Sequence, residues 1–347
     1  MVDQTNLFLR NIWYYALPGG QIKPGQMIAK TLLNEPILFG RTATGKIFAL
    51  RDICPHRAVP LSCGRFDGQE VECCYHGWRF DLSGQCTKIP SLLDDQALEL
   101  KLFGVKAYPV QEVQGNVWIY MADDQTSVPK MDIPLIPGFE QQGYQAAEVM
   151  HFPCYIDHAV VGLMDPAHVP FVHRAWWWYA APNLSEEVKT FVPSDYGFTM
   201  QRHQLLKQTF FYRLLGQRTE VEISFRLPGV RIEQAVGDRN TVCNMTAITP
   251  ISETETEVTT LFYTTLPWFK LLRPILLSFT RQFLDQDRQM VIKQQIGLKS
   301  NPPLMLIKDS DTQARWYYQI KAEFAKATAE DRPFENPIKP QVLRWQS

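Results

Sequence analysis

Cys54 and His56 form a C-x-H pattern, and Cys73 and His76 form a C-x-x-H pattern further along the chain. Bringing two thiolates and two imidazoles to one place requires two loops projected from a shared scaffold, a strong constraint on the N-terminal third. Such a set holds a [2Fe–2S] cluster with the cysteines on one iron and the histidines on the other, which raises the reduction potential above that of an all-cysteine cluster. The same residue types also close a tetrahedral zinc site, so ligand chemistry alone leaves the metal open. Local context favours the cluster. Each half reads as a loop with turn chemistry, flanked by β-rich runs at Ile47–Leu50 and Trp78–Phe80. Zinc-finger spacing would instead place the histidines close together on one helix.

The chain has 347 residues, long enough for two domains with separate cores. Its net charge of −1 gives no electrostatic footprint for nucleic acid or an anionic membrane, so small-molecule chemistry is expected. Of seven cysteines, two belong to the cluster pattern, leaving Cys63, Cys74, Cys86, Cys154 and Cys243 without a paired framework. This points to a reducing compartment with mostly buried free thiols. Cys74, next to Cys73 in a segment read as extended, is expected to face the other way and to serve packing. No signal peptide is read in the first residues. The most lipophilic stretch, Leu266–Leu284, is broken by Lys270, Arg273, Pro274 and Arg281, too often for an integral membrane segment. A cytoplasmic protein is expected.

From about Trp13 to Tyr120, short apolar runs alternate with turn signals such as Thr44-Gly45, Asp67-Gly68 and Ser83-Gly84, the pattern of a compact all-β unit. Pro129, Pro134 and Pro137 mark a linker. Beyond it, Gly197–Leu205, Thr219–Leu227 and Glu255–Leu266 read as strands of an antiparallel sheet. Leu271–Leu298 and Ser310–Ala329 read as helices, the second capped by Ser310 or Asp311. The fold class expected is α+β. An all-β domain spans residues 1–122, a linker 123–140, and a domain of antiparallel sheet with helices 141–347.

A cluster that relays electrons needs an acceptor, and Asp165-Pro-Ala-His168-Val-Pro-Phe-Val-His173 offers one. On a regular helix His168 and His173 would not share a face, and Pro170 disfavours an uninterrupted helix, so a distorted turn is expected to converge them. Two histidines and a carboxylate with open positions beside them suit a mononuclear Fe(II) that activates dioxygen. The carboxylate must come from far away in sequence. Asp287 is the candidate and Asp285 its competitor, and the two point in nearly opposite directions on a helix. The alternative is a kinked helix with buried, metal-free histidines.

Together these motifs resemble the oxygenase component of Rieske non-haem iron oxygenases over nearly the whole chain. The similarity is to the branch containing vanillate O-demethylase, dicamba monooxygenase and pheophorbide a oxygenase, the last through Met164–Phe171. The resemblance implies a helix-grip-like second domain. It also implies [2Fe–2S] ligands at Cys54, His56, Cys73 and His76, Fe(II) ligands at His168, His173 and Asp287, and a helix opening at that Asp with glutamines at 294 and 295. In this family an Asn commonly stands where Gly162 does here, which is a departure. A homotrimer is implied, with Asp165 bridging His168 to His76 of the adjacent subunit, together with a separate NAD(P)H-dependent reductase and a ferredoxin. No dinucleotide fingerprint appears on this chain. His151, His158 and His203 match nothing in the motif and are read as structural.

The expected activity is mono-oxygenation, either hydroxylation or oxidative demethylation of a hydrophobic ring compound. The rivals are arene cis-dihydroxylation, a pure electron-transfer protein, and a zinc-stabilised binding module. Trp176–Tyr179 offers pocket-lining aromatics or core, and Trp268–Arg273 reads as a buried helix start.

Overall fold

The computed structural model describes residues 8–124, 128–173, 184–205 and 215–347. The aromatic run at 176–179 therefore lies outside the described residues. The chain divides into two units, Met1–Ile133 and Pro134–Ser347.

The first unit is all-β. One sheet places β10 (Asn116–Met121) between β1 (Ile12–Pro18) and β9 (Val110–Val113). A second runs β2 (Met27–Leu32), β3 (Glu35–Arg41), β4 (Ile47–Arg51). A third runs β5 (Arg65–Phe66), β6 (Glu70–Glu72), β7 (Arg79–Asp81), β8 (Cys86–Lys88). Strands β1 and β10 are buried along their whole length, which explains why they read as continuous apolar runs rather than alternating ones. Leu38, Phe48 and Leu50 of the second sheet meet Val71, Phe80 and Cys86 of the third in one core, and Cys54 and Cys73 belong to that same core. The cysteine half of the cluster motif is thus anchored by hydrophobic packing.

In the second unit an eight-stranded antiparallel sheet runs β11-β17-β16-β15-β14-β13-β12-β18. Its strands are β11 (Ala146–Phe152), β12 (Glu186–Ser194), β13 (Gly197–Gln204), β14 (Thr219–Arg226), β15 (Val230–Gly237), β16 (Thr241–Pro250), β17 (Thr256–Thr264) and β18 (Gln341–Gln346). Consecutive strands from β12 to β17 pair as a meander. Strands from the beginning and end of this unit, β11 and β18, close the two edges. The helices are α1 (Ile156–Met164), the four-residue α2 (Val169–Val172), α3 (Phe269–Leu298) and α4 (Thr312–Ala329), for which Asp311 holds the N-cap position.

Several expectations need correcting. Ile136 and Phe139, placed in the linker by sequence, are almost fully buried. The Phe139 ring lies 5.8 Å from Tyr263, and Gln234 donates to the Pro137 carbonyl at 3.0 Å. Two apolar side chains in a proline-bearing stretch were enough to fasten it to the sheet. The start of α3 is only half buried: Phe269 turns inward while Leu271 is 81% exposed. Cys74 is exposed rather than packed, because Cys73–Gly77 is a turn closed by the Gly77 N–H on the Cys73 carbonyl at 3.0 Å, not an extended segment.

Candidate active site

Two groups of side chains of metal-binding type stand out among the described residues, one in each unit. In the first unit the Cys54 and Cys73 thiols lie together in the core. Burial, together with the neighbouring Cys73 thiol, pushes the Cys54 thiol up to about 11. The imidazoles of His56 and His76 are exposed, with ring centroids 4.4 Å apart. His56 also stacks on Trp78 at 4.7 Å with an interplanar angle of 6°. Cysteine thus sits with cysteine and histidine with histidine, a division suited to two irons with different ligands.

A single zinc ion would need all four donors around one point. Among the described residues, only His168, His173 and Asp287 form a group of three or more with donor atoms all within 4.8 Å of one another. The four loop residues therefore do not converge as a tetrahedral zinc site does. The Trp78 indole N–H, beside the His56 ring, is buried without an acceptor among the described residues, and the sulfides of a cluster would provide one.

In the second unit α1 ends at Met164, and Asp165 accepts a hydrogen bond from the Ala167 N–H at 2.7 Å. His168 occupies the position just before α2 and His173 the one just after it, where the chain leaves helical geometry at φ −95°, ψ 75°. Pro170 is accommodated rather than disruptive. It sits in the first helical turn, where its missing N–H leaves no bond unmade. The departure of His173 from the helix lets two residues that would diverge by regular geometry meet.

Their Nε2 atoms lie 3.2 Å apart, and Asp287 Oδ1 is 3.3 Å from His168 Nε2 and 3.2 Å from His173 Nε2. Ligands at right angles on bonds near 2.1 Å would be about 3.0 Å apart, so this triangle has the dimensions of one face of a metal's coordination shell. Asp287 lies in the second half of the 30-residue α3 rather than at a helix start. Asp285 turns away and pairs with Arg288 at 2.5 Å.

Burial alone would lower the His168 pKa. The carboxylates of Asp165 and Asp287, 3.6 Å from Nδ1 and 3.3 Å from Nε2, outweigh it and raise the imidazole to about 9. Burial works to raise the Asp287 carboxyl, but hydrogen bonds and charge from both histidines hold it below its ordinary value. Asp287 Oδ2 is buried without a hydrogen-bond partner among the described residues. A buried carboxylate oxygen left unmet between two imidazoles fits a cation at the centre of the triangle.

Two positioning residues were invisible to motif reading. The His173 Nδ1 is 2.9 Å from Gln286 Oε1, so Nδ1 carries the proton and Nε2 is left as the ligand atom. Phe283 stacks on the same ring at 3.6 Å and 11°. Both come from α3, one residue before and one turn before Asp287, so a single helix supplies the carboxylate and fixes the imidazole opposite it. His151, His158 and His203 stand apart from the triad. His151 faces Glu255 at 2.9 Å, and His203 lies 3.1 Å from the Gln201 carbonyl. A Cβ added at Gly162 would meet nothing within 4 Å, so the glycine leaves open the space that an Asn would fill.

Known proteins give the same division of the chain. Residues 12–109 match the Rieske [2Fe–2S] domain, and residues 154–336 match the vanillate O-demethylase oxygenase C-terminal domain. The iron-sulfur subunit of the toluene-4-sulfonate monooxygenase system of Comamonas testosteroni is 34% identical over 167 residues, 48% of this chain and 47% of that protein. The oxygenase component of dicamba O-demethylase of Stenotrophomonas maltophilia is 33% identical over 172 residues, 48% of each. The 4beta-methylsterol monooxygenase of Methylococcus capsulatus is 35% identical over 130 residues, 38% of this chain and 35% of that protein. The chain spans half or less of the length of these curated relatives.

The fold matches that of dicamba monooxygenase bound to dicamba with a TM-score of 0.76 at 23% identity, covering 93% of this chain and 98% of that one. No helix among the described residues is long and apolar enough to cross a membrane. Because the C-terminal domain match alone spans more than half of the residues, the chain belongs to the Rieske non-haem iron oxygenases, oxidoreductases that carry a [2Fe–2S] cluster and a mononuclear iron.

Proposed function

We propose that this chain is the oxygenase component of a mono-oxygenase that hydroxylates, or demethylates through hydroxylation, a hydrophobic ring compound. The observation that carries this reading is the triangle of His168, His173 and Asp287 Oδ1 with edges of 3.2–3.3 Å, together with the unmet Asp287 Oδ2. A silent second domain would have no reason to keep a buried carboxylate between two imidazoles.

Cys54 and Cys73 would hold one iron of the cluster and His56 and His76 the other. His168, His173 and Asp287 would hold the mononuclear Fe(II). When bound, these groups supply electron relay and O2 activation. The protein's own part is positioning. Gln286 and Phe283 fix the His173 ring, and Asp165 fixes the turn before His168. Asp165 Oδ2, 3.6 Å from His168 Nδ1, is placed to link that imidazole to a neighbour.

The exposed His56 and His76 suit electron entry or exit. The bridge from Asp165 to His76 of an adjacent subunit and the homotrimer that supports it follow from the family arrangement. A separate reductase, with or without a ferredoxin, supplies the electrons. The named activities of the relatives, on toluene-4-sulfonate, dicamba and a methylsterol, support a ring-containing substrate.

The test is metal and sulfide analysis of purified protein, followed by turnover under 18O2 with a surrogate reductase. The expected result is iron and acid-labile sulfide in a coloured protein, with one oxygen atom from O2 in the product. A colourless zinc protein, or a diol carrying both atoms of one O2, would overturn the reading. His168→Ala should abolish turnover while leaving the cluster spectrum intact.

A further inference from the structure

Cross-strand pairing runs Glu148, Thr260, Thr246, Arg231, Phe225 from β11 through β17, β16 and β15 to β14. The next row, two residues along each strand, runs Ala146, Phe262, Asn244, Glu233, Ile223. Directly paired residues and residues two apart share a face, so both rows lie on one side of the sheet.

Contacts identify that side. Glu148 accepts two bonds from Arg281 of α3, at 2.6 and 3.1 Å. Ala146, Ile223 and Phe262 pack with Leu276 and Leu277 of α3. Phe225 lies 5.8 Å from Tyr317 of α4. Val160 of α1 approaches Gly229, just before β15, so closely that an added Cβ would stand 3.3 Å from it. Helix α1 leads directly into Asp165 and His168, and α3 carries Asp287. The two rows therefore occupy the face that the metal-bearing helices cover.

A sheet face beneath packed helices is ordinarily apolar. Here it carries Arg231, Glu233, Asn244, Thr246 and Thr260 side by side. Thr260 is 2% exposed, and its Oγ1 has no hydrogen-bond partner among the described residues; Asn244 Oδ1 is equally buried and equally unmet. Buried polar atoms are almost always paired, so two neighbouring exceptions on one face call for a water or a ligand group as partner. Arg231 and Glu233 keep side-chain exposures of 23% and 19%, so this stretch of the face is not fully sealed.

Charge narrows what enters. Arg231 is paired with Glu233 at 2.8 Å and Arg281 with Glu148, so neither cation of this face among the described residues is left for a carboxylate or sulfonate. The Asn244 amide oxygen accepts but cannot donate, whereas the Thr260 hydroxyl can do either, so a donor on the ligand satisfies both.

We infer that Asn244 Oδ1 and Thr260 Oγ1 form a subsite that accepts hydrogen bonds from a hydroxyl or N–H group on an uncharged ring substrate. The inference rests on the oxygenase reading above and names the substrate class for that site.

Three probes sharing one ring system test it: 2-naphthol, 2-methoxynaphthalene and 2-naphthoate, titrated calorimetrically into the anaerobic holoenzyme. The naphthol should bind about tenfold or more tightly than its ether or the carboxylate. Asn244→Leu and Thr260→Val should each weaken naphthol binding about tenfold while leaving ether binding unchanged. Their melting temperatures should stay level or rise, because an unmet buried polar atom has been removed, which separates loss of recognition from loss of fold. Equal naphthol affinity in wild type and variants, preference for the carboxylate, or failure of all three probes to bind would overturn the inference. Iron and sulfide content, measured on the same samples, reports on the oxygenase reading independently: metal-replete protein with indifferent variants sinks the subsite alone, and metal-free protein sinks the larger reading.

Discussion

Gln286 decides which nitrogen of His173 faces the metal position, and it does so through one 2.9 Å hydrogen bond on a ring that is almost fully buried. Gln286→Leu should weaken Fe(II) retention about tenfold or more, read by competition with a chelator, while the visible spectrum of the cluster stays unchanged. The neighbouring carboxylates separate just as sharply. Asp287→Asn should lose the mononuclear iron, whereas Asp285→Asn removes only a surface pair with Arg288 and should keep it, as measured by iron content per chain. The candidate donors were nameable from the sequence because metal ligation imposes residue type and short spacing on a chain. Gln286 was not. A side chain that orients a ring 113 positions away leaves no local pattern, and its position beside Asp287 draws attention to the acid instead. Cys74 was misread for a related reason, since alternation rules apply to strands and fail inside a turn.

At the scale of elements, the long helix α3 and the strands β13, β14 and β17 followed from apolar and β-branched runs, whereas β12, β15 and β16 were not read from the sequence. The Arg281–Glu148 bridge fastens α3 to edge strand β11. Pairing across such a distance is a property of the folded chain and could not be read from spacing. The same holds in the first unit for Glu35 on β3. Burial works to raise its carboxyl, but the Tyr108 hydroxyl and the Arg10 and Lys106 charges outweigh burial and hold it below the usual range. A carboxyl depressed in the folded state contributes stability that is present above its unfolded value, about 4.3, and is lost as pH falls through the folded one. Thermal melts of the wild type should therefore decline on acidification through that window. Glu35→Gln should start from a lower melting temperature at neutral pH and show a shallower acid decline.

For the whole molecule, composition and turn signals pointed to two units joined by a linker at 123–140; the chain divides after Ile133, and the anchoring of Ile136 and Phe139 left no trace in the sequence. The proposed passage of electrons between subunits predicts complementation. Chains carrying Cys73→Ser lack the cluster, and chains carrying Asp287→Ala lack the mononuclear iron. Each alone should be inactive, but co-assembled mixtures should regain turnover in proportion to mixed neighbours, read as product formed against mixing ratio. Activity that stays at zero at every ratio, in mixtures shown to co-assemble, would place both centres of a working pair within one polypeptide.

Cys54 and Cys73 share a packed core with Phe48, Leu50, Val71 and Phe80. As the proposed cluster ligands, those thiols would be ligands and filling at once, so cluster insertion and the final packing of the β unit would be coupled. A chain starved of iron should then be cut faster by protease around these loops than the cluster-loaded form.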